Sequence, residues 1–242
     1  MRTPRFYIDE PIPERGILQL PEPVARHITT VLRLKAGASL NVFNGRGGEY
    51  QGELLSAQKR QAQLQILGHT DTEREVPWPL CLALCVSKGS KMDFSVQKAT
   101  ELGVTRIQPL ISTRSVVRLD AQRAARRQQH WRDIVISASE QSGRNRLNEV
   151  APVSAFDDWL AACQEPGLKL LFTPGAAWPL ARCAAPDASG ICLLIGPEGG
   201  FTESELDAAR SRGFQAVSFG TRILRTETAT IASLAAVLAL WA

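Results

Sequence analysis

Hydrophobic and polar positions follow two different patterns along this chain. In the first seventy residues, short apolar stretches are separated by turn residues, a pattern typical of β-strands. A polar and charged stretch over residues 70–79, which contains two prolines, interrupts this pattern. Beyond it, strand-like apolar runs alternate with helical periods, which predicts an α/β domain with a mostly parallel sheet. We therefore expect two domains, residues 1–72 and residues 73–242.

The first domain is predicted to be a small, partly closed β-barrel interrupted by one helix. Val24, Ile28, Val31 and Leu32 have the spacing of a single apolar helix face, and Gly37 follows as a stop signal. The predicted strands are Arg5–Ile8, Ile17–Leu20, Ser39–Phe43, Glu49–Leu55 and Gln61–Leu67.

The second domain carries the alternation of strands and helices. Two stretches have the form of a capping box, which marks the start of a helix: Ser154–Asp157 and Thr202–Glu205. The other predicted elements are strands over Leu80–Val86, Arg106–Ile111 and Leu168–Phe172, and helices over Lys91–Leu102 and from Asp120 to about Glu140.

Two glycine-bearing turns near the C-terminus each follow an apolar run. Residues 191–195 lead into Gly196-Pro197-Glu198-Gly199-Gly200, and residues 216–219 lead into Gly220. Short apolar runs bounded by Gly and Pro suit buried parallel strands, and ligands in such sheets bind outside the carboxyl ends of the strands. The two loops therefore predict a small-molecule pocket built largely from backbone. The first loop lacks the spacing of dinucleotide-binding and Walker A loops.

Polar residues cluster just after the second turn. Arg222 and Arg225 lie three residues apart, next to Thr226, Glu227 and Thr228. Two interpretations remain open: these residues form part of a site, or the last three cap the final helix.

Composition favours a globular protein of the cytoplasm. Of 242 residues, 44% are hydrophobic and 21% charged, and 28 basic against 24 acidic residues give a net charge of +4. Arginine dominates the basic residues, which suits a phosphate-rich partner but also a GC-rich genome. The five cysteines form no CxxC pair and the three histidines are far apart, so we expect buried free thiols and no metal site. Neither a signal peptide nor a membrane-length apolar stretch is recognised.

Five phrases, in this order, resemble the ribosomal RNA small subunit methyltransferase E family of the SPOUT superfamily. The resemblance covers essentially the whole chain, including the pattern His27-x3-Val31-Leu32-Arg33 in the first domain. The five phrases are SKGSKMDF (87–94), KATELGV (98–104), EQSGR (140–144), IGPEGGF (195–201) and GTRILRTETA (220–229).

This resemblance implies a fold, a cofactor and a substrate. The first domain would be PUA-like and hold RNA. The second would be a SPOUT domain whose C-terminal segment forms a deep trefoil knot. The cofactor would be S-adenosylmethionine. The enzyme would be a homodimer that methylates N3 of a uridine in 16S rRNA, at the position conventionally numbered 1498, within the small ribosomal subunit or its precursor.

The resemblance also assigns roles to residues of this sequence. The catalytic residues are expected from the chemistry of uridine deprotonation rather than from the resemblance, and they are Arg225 and Glu198. Arg225 stabilises deprotonated uracil or clamps the adjacent phosphate. The general base stays open between Glu198, whose alternative role is to face the methionine amine, and Glu227, whose alternative role is to cap a helix. The expected cofactor-binding residues are Leu171, Phe172, Thr173, Ile195, Gly196, Pro197, Glu198, Gly199, Gly200, Phe219, Gly220, Ile223, Leu224 and Thr228. Leucine rather than Phe219 is expected from the family. The expected RNA-binding residues are Arg5, Arg26, Arg33, Lys88, Lys91, Gln141, Arg144, Arg146 and Arg222.

Three alternatives to this function stand beside it. One is a SPOUT enzyme that acts on another rRNA site or on tRNA. Another is a non-catalytic RNA-binding factor for ribosome assembly. The third, a Rossmann-like oxidoreductase, is disfavoured by the missing GxGxxG loop.

Overall fold

The computed structural model describes residues 3–163, 165, 167–176 and 179–242. Its contacts divide the chain into two compact units. The first comprises Met1–Glu75 together with Ser139–Leu147, and the second comprises Val76–Ala138 together with Asn148–Ala242. The segment Ser139–Leu147 is thus inserted into the first unit from the middle of the chain.

The first unit contains a five-stranded sheet in the order β1-β3-β4-β5-β2. β1 runs parallel to β3, and the other neighbours are antiparallel. Alternate residues such as Leu40, Val42, Leu54, Leu64 and Ile66 form one buried face, so the predicted strands are confirmed. The strands are β1 (Arg5–Tyr7), β2 (Gly16–Gln19), β3 (Ser39–Phe43), β4 (Glu49–Gln58) and β5 (Gln61–Thr70).

The helix of the first unit differs from the prediction. It begins as α1 (Glu22–Arg26) and continues as a π-helical turn, His27–Val31, in which the Leu32 N–H donates to the His27 carbonyl oxygen at 3.0 Å. The wider turn breaks the α-helical register, so Val31 is 66% exposed instead of buried. The prediction of one continuous apolar face is therefore wrong beyond Ile28.

The second unit is built on a parallel sheet in the order β12-β10-β11-β6-β7-β8, with β9 also paired to β7. Every pairing given for this sheet is parallel, which confirms the α/β prediction. The strands are β6 (Leu80–Cys85), β7 (Arg106–Ile111), β8 (Glu149–Val150), β9 (Ser154–Ala155), β10 (Leu168–Phe172), β11 (Ile191–Ile195) and β12 (Gln215–Val217).

Among the described residues that follow β6, there are five longer helices and a 3-10 turn at Leu180–Arg182. The capping box at Thr202 is confirmed, because the Thr202 side chain accepts from the Glu205 N–H and the Glu205 carboxylate accepts from the Thr202 N–H. The box predicted at Ser154 is wrong: Ser154 lies in a strand, and the helix begins after Ala155 without a side-chain cap. The helices are α2 (Ser90–Glu101), α3 (Ala121–Ser142), α4 (Phe156–Ala162), α5 (Glu203–Ser211) and α6 (Thr226–Trp241).

Candidate active site

A cavity of about 270 Å³ lies in the second unit where β10, β11 and β12 end. These three strands are neighbours in the sheet, so the loops that follow them meet at one edge. The loops after β11 and β12, predicted from the two glycine-bearing turns, both line it, and the start of α6 completes the wall.

The loop after β11 has a fixed backbone. Gly200, at φ +67°, donates its N–H to the Pro197 carbonyl oxygen at 2.9 Å. A Cβ at Gly196 would lie 3.0 Å from the Phe201 ring, so this position has no room for a side chain without a shift. Arg114 holds the loop from outside: its Nη1 donates to the carbonyl oxygens of Gly199, at 3.2 Å, and Phe201, at 3.3 Å. Sequence reasoning missed Arg114, which lies far from the glycine motif in the chain.

One side of the cavity is apolar and aromatic. The rings of Phe172 and Phe219 are stacked, with centroids 4.9 Å apart and planes inclined by 15°. Ile223, which is 83% exposed, and Leu224 extend this surface. Phe219, which departs from the leucine expected here, therefore keeps the wall apolar and adds a stacking partner.

The charged side chains at the cavity are Glu198, Arg222 and Arg225. The Glu198 Oε1 atom lies 3.5 Å from the Lys91 Nζ atom of α2. Arg225 occupies the N-cap position of α6, and its side chain is exposed. Neither Arg222 nor Arg225 forms an ion pair with any residue that the structure describes, so both guanidiniums are available to an anionic or carbonyl-bearing ligand.

Most residues predicted to bind the cofactor line this cavity. Three of them do not: Leu171 is fully buried in the core beside β11, Gly199 faces Arg114, and Thr228 is exposed on the first turn of α6. The predicted set of cofactor-binding residues left out six lining residues that adjoin predicted ones or follow them closely: Pro174, Phe201, Val217, Ser218, Thr226 and Ala229.

The alternative general base, Glu227, does not line the cavity. Its Oε2 atom is buried and has no hydrogen-bond partner among the described residues. The final helix starts at the N-cap position Arg225 without a side-chain cap hydrogen bond among the described contacts.

Two arginines that the sequence predicted to contact RNA lie in the interior of the first unit. Arg5 pairs with Glu49 and donates to the Asn145 Oδ1 at 2.6 Å. Arg144, which is 3% exposed, pairs with Glu75, with its Nε 3.0 Å from the Glu75 Oε1. A buried guanidinium must be paired with an opposite charge or with hydrogen-bond acceptors, and both arginines find these partners inside the protein. The prediction is therefore corrected: Arg5 connects the inserted segment 139–147 to the sheet of the first unit, and Arg144 connects it to Glu75, which follows β5.

The other predicted RNA-binding residues lie at the surface. Arg146 is half exposed and lies 3.3 Å from Glu73, and Lys91 is engaged with Glu198 as described above. The exposed remainder comprises Arg26, Arg33, Lys88, Gln141 and Arg222.

Two buried cysteines of the sheet are poor nucleophiles. Burial raises the pKa of the Cys85 thiol to about 12. A hydrogen bond with Cys81, together with burial, raises the pKa of Cys192 well above its usual value. Within the described residues, no group of three or more His, Cys, Asp or Glu side chains is arranged to hold a metal ion. No helix among them is both long enough and apolar enough to cross a membrane.

Models of two protein families match this chain. One, an RNA methyltransferase domain, matches residues 74–238, and the other, an RNA methyltransferase PUA domain, matches residues 20–67. Among curated proteins, the ribosomal RNA small subunit methyltransferase E of Buchnera aphidicola is 33% identical over 97% of this chain and 95% of its own length.

Two solved structures share the whole architecture. A ribosomal RNA small subunit methyltransferase E from Neisseria gonorrhoeae, bound to S-adenosyl methionine, is 40% identical with a TM-score of 0.92, covering 99% of this chain and 98% of that one. A methyltransferase from Legionella pneumophila, in complex with the same cofactor, is 34% identical with a TM-score of 0.93, at the same coverage.

Proposed function

This chain belongs to the ribosomal RNA small subunit methyltransferase E family, and from that premise we propose that it transfers a methyl group from S-adenosylmethionine to N3 of a uridine in 16S rRNA. The observation that supports this proposal most strongly is the cavity at the ends of β10, β11 and β12, with Arg225 at its rim. We propose the uridine conventionally numbered 1498 as the target, the position that the family resemblance implies.

The residues of the cavity fit an adenosyl cofactor. An adenine ring suits a slot between apolar walls, and Phe172, Ile195 and Leu224 provide such walls. The glycines at 196 and 200 let the ligand approach backbone N–H and C=O groups closely. Glu198 supplies negative charge opposite a ligand that carries an ammonium and a sulfonium.

S-adenosylmethionine supplies, when bound, a methyl group already activated on a sulfonium. The protein must therefore mainly orient the acceptor and ease the loss of its N3 proton. Negative charge from that loss spreads onto the O2 and O4 atoms of uracil, and a guanidinium facing them stabilises it. Arg225 has the required charge at the cavity rim, and its guanidinium has no carboxylate partner among the described residues.

Glu198 is the proposed acceptor of the N3 proton. Its carboxylate lines the cavity, whereas Glu227 lies outside the lining. In this proposal Glu198 accepts the proton as the N3–H bond breaks, and N3 is held where it would form a bond to the methyl group as the S–methyl bond of a bound S-adenosylmethionine broke, which would leave a neutral thioether sulfur. The thiols of Cys85 and Cys192 take no part, since burial and hydrogen bonding keep them protonated.

The proposal also covers the oligomeric state, the topology of the C-terminal segment and the cellular location. We propose a homodimer, because α6 is predominantly apolar: it packs on α2 and β11, yet Leu240 on α6 and Phe94 on α2 remain nearly half exposed. We also propose the trefoil knot for the C-terminal segment, and the cytoplasm as the location, where the small subunit and its precursor occur.

The proposed RNA contacts are Arg26, Arg33, Arg146 and Arg222, together with Lys88, Lys91 and Gln141.

One experiment tests the function directly. Small ribosomal subunits from cells that lack this protein are incubated with it and with S-adenosylmethionine labelled on the methyl group, and the digested nucleosides are separated. We expect label in N3-methyluridine from 16S rRNA. Label in a different nucleoside, or in none, would contradict the proposal.

A further inference from the structure

The second unit has another cavity, of about 790 Å³, where β6 and β7 end. It is lined by residues 86–89 after β6, by residues 116–119, and by one face of the first half of α3. We call this cavity the basic groove. Most of the side chains that line it have no role in the proposed methyl transfer.

Cations dominate the lining of the basic groove. Arg123, Arg126, Arg127 and His130 share one helical face of α3, because they are spaced by three, four and seven residues. Lys88 and Arg118, from the loops, bring the cations of the lining to five together with the three arginines of α3.

The carboxylates near the groove offset only part of this charge. Asp120 pairs with Arg123, with its Oδ2 3.3 Å from the Arg123 Nε. Asp93 accepts from the Trp131 Nε1 at 3.1 Å and lies 3.0 Å from the His130 Nε2. Within the described part of the chain, Lys88, Arg118, Arg126 and Arg127 form no ion pair. An uncompensated set of four cations attracts a polyanion.

The groove also offers apolar surface and a free hydroxyl. Val116 is 67% exposed although it is a large apolar residue. The Ser87 side chain is 3% exposed, and its Oγ has no hydrogen-bond partner among the described residues. A buried hydroxyl beside a cavity is expected to hydrogen-bond to whatever fills it.

The groove and the cofactor cavity share one edge of the sheet. β6 and β11 are neighbours, with Leu84 in register with Ile195, so the loops that follow them start side by side. Lys91, next to the first loop, reaches Glu198 in the second. A ligand in the groove therefore lies close to the site of methyl transfer.

From these observations we propose that the basic groove binds the ribose-phosphate backbone of the rRNA beside the target uridine. The inference rests on the proposed function. Arg126 and Arg127 bind phosphate oxygens through their guanidinium forks, Val116 packs against a base, and the Ser87 hydroxyl binds a polar atom of the same nucleotide.

The test compares two variants of the full-length protein. Arg126→Gln together with Arg127→Gln removes two cations of the groove, and Arg132→Gln removes an exposed cation of the same helix that lies outside the groove. Binding of an oligonucleotide with the target sequence is measured as a function of salt, alongside methylation of small subunits and binding of S-adenosylmethionine. We expect the double variant to bind RNA at least about tenfold more weakly at 0.1 M salt, with a salt slope reduced by about two. Cofactor binding and the Arg132→Gln variant should match the wild type.

A second measurement does not depend on a variant. An amine-reactive reagent should modify the exposed Lys88 less when the RNA is bound, while Lys59, in the turn between β4 and β5, serves as the unprotected control. Unchanged RNA binding by the double variant, or unchanged modification of Lys88, would overturn the groove assignment. If the double variant instead became a monomer but kept its affinity for RNA, the basic groove would bind a second copy of this chain, and the proposal would be wrong. If the wild type methylated no rRNA, the proposed function would fail instead.

Discussion

The rings of Phe172 and Phe219 stack at 4.9 Å across the loops that follow β10 and β12. These two strands are hydrogen-bonded neighbours, with Phe172 in register with Val217, so the pair joins the two loops at the sheet edge. The cavity at the ends of these strands thus has an aromatic wall that the fold itself positions.

Replacing Phe219 tests this wall. Phe219→Ala removes the stacking partner and part of the apolar surface, so we expect the Kd for S-adenosylmethionine to rise by about tenfold, since such aromatic pairs contribute roughly 0.5–1.5 kcal/mol beyond burial. Phe219→Leu keeps an apolar side chain and should weaken binding by only about threefold. Isothermal titration measures both. Equal affinity for wild type and Phe219→Ala would show that the wall does not touch the cofactor.

Arg225 should affect turnover far more than cofactor affinity. In Arg225→Ala the charge that stabilises deprotonated uracil is lost, so kcat should fall by about 100-fold or more, as for other preorganised electrostatic groups. The Kd for S-adenosylmethionine should change by less than about threefold. Arg212→Ala, a change of another exposed arginine of the second unit, is the control and should leave both values unchanged. Parallel losses in kcat and cofactor binding would assign Arg225 to cofactor binding instead.

Arg144 should matter for stability. Removing one partner of a buried ion pair leaves the other charge uncompensated, so Arg144→Ala should lower the free energy of unfolding by about 3–5 kcal/mol. Arg146→Ala breaks a pair with Glu73 that is largely exposed, and its cost should stay below about 1 kcal/mol. Urea unfolding measures both variants. A fully stable Arg144→Ala variant with impaired RNA binding would restore the original prediction for this residue.

Glu205 should give the second unit part of its acid sensitivity. Burial alone would raise the pKa of this carboxyl, but hydrogen bonds from the backbone N–H groups of Thr113 and Thr202 outweigh it, and the pKa is lowered from its ordinary 4.5. A folded-state pKa below the unfolded one adds stability above about pH 4.5, which is lost as the pH falls through the folded value.

The matching variant is Glu205→Gln, which cannot carry the charge. At pH 7 it should be about 1–3 kcal/mol less stable than the wild type, because hydrogen bonds to a charged acceptor are replaced or lost. The difference should shrink when urea unfolding is repeated below pH 4.5. A difference that stays constant with pH would contradict the ionised role of Glu205.

Local patterns were sufficient to predict most of the fold. The parallel sheet followed from apolar runs bounded by Gly and Pro, and the start of α5 followed from the capping box at Thr202. The π turn after Arg26 was not predictable, because the spacing of Ile28, Val31 and Leu32 also suits an ordinary α-helix. Ser154 shows the same limit, since a capping-box pattern occurs there inside a strand.

The candidate site was predictable where it is contiguous in the chain. The loops after β11 and β12 were recognised from their glycines, and both line the cavity. Arg114 was missed because it supports the loop from a position about 85 residues away in the chain, and the sequence carries no signal for that contact. The prediction for Arg144 was wrong for a related reason. Its partner, Glu75, lies 69 residues earlier in the chain, after β5, and only the fold shows that the pair is buried.

A crystal structure of this protein with S-adenosylhomocysteine tests the central claim most directly. We predict ligand density in the cavity at the ends of β10, β11 and β12, with the adenine between apolar side chains and in contact with the backbone of residues 195–200 and 219–224. Density at another place on the molecule, or an empty cavity at a saturating ligand concentration, would contradict the account.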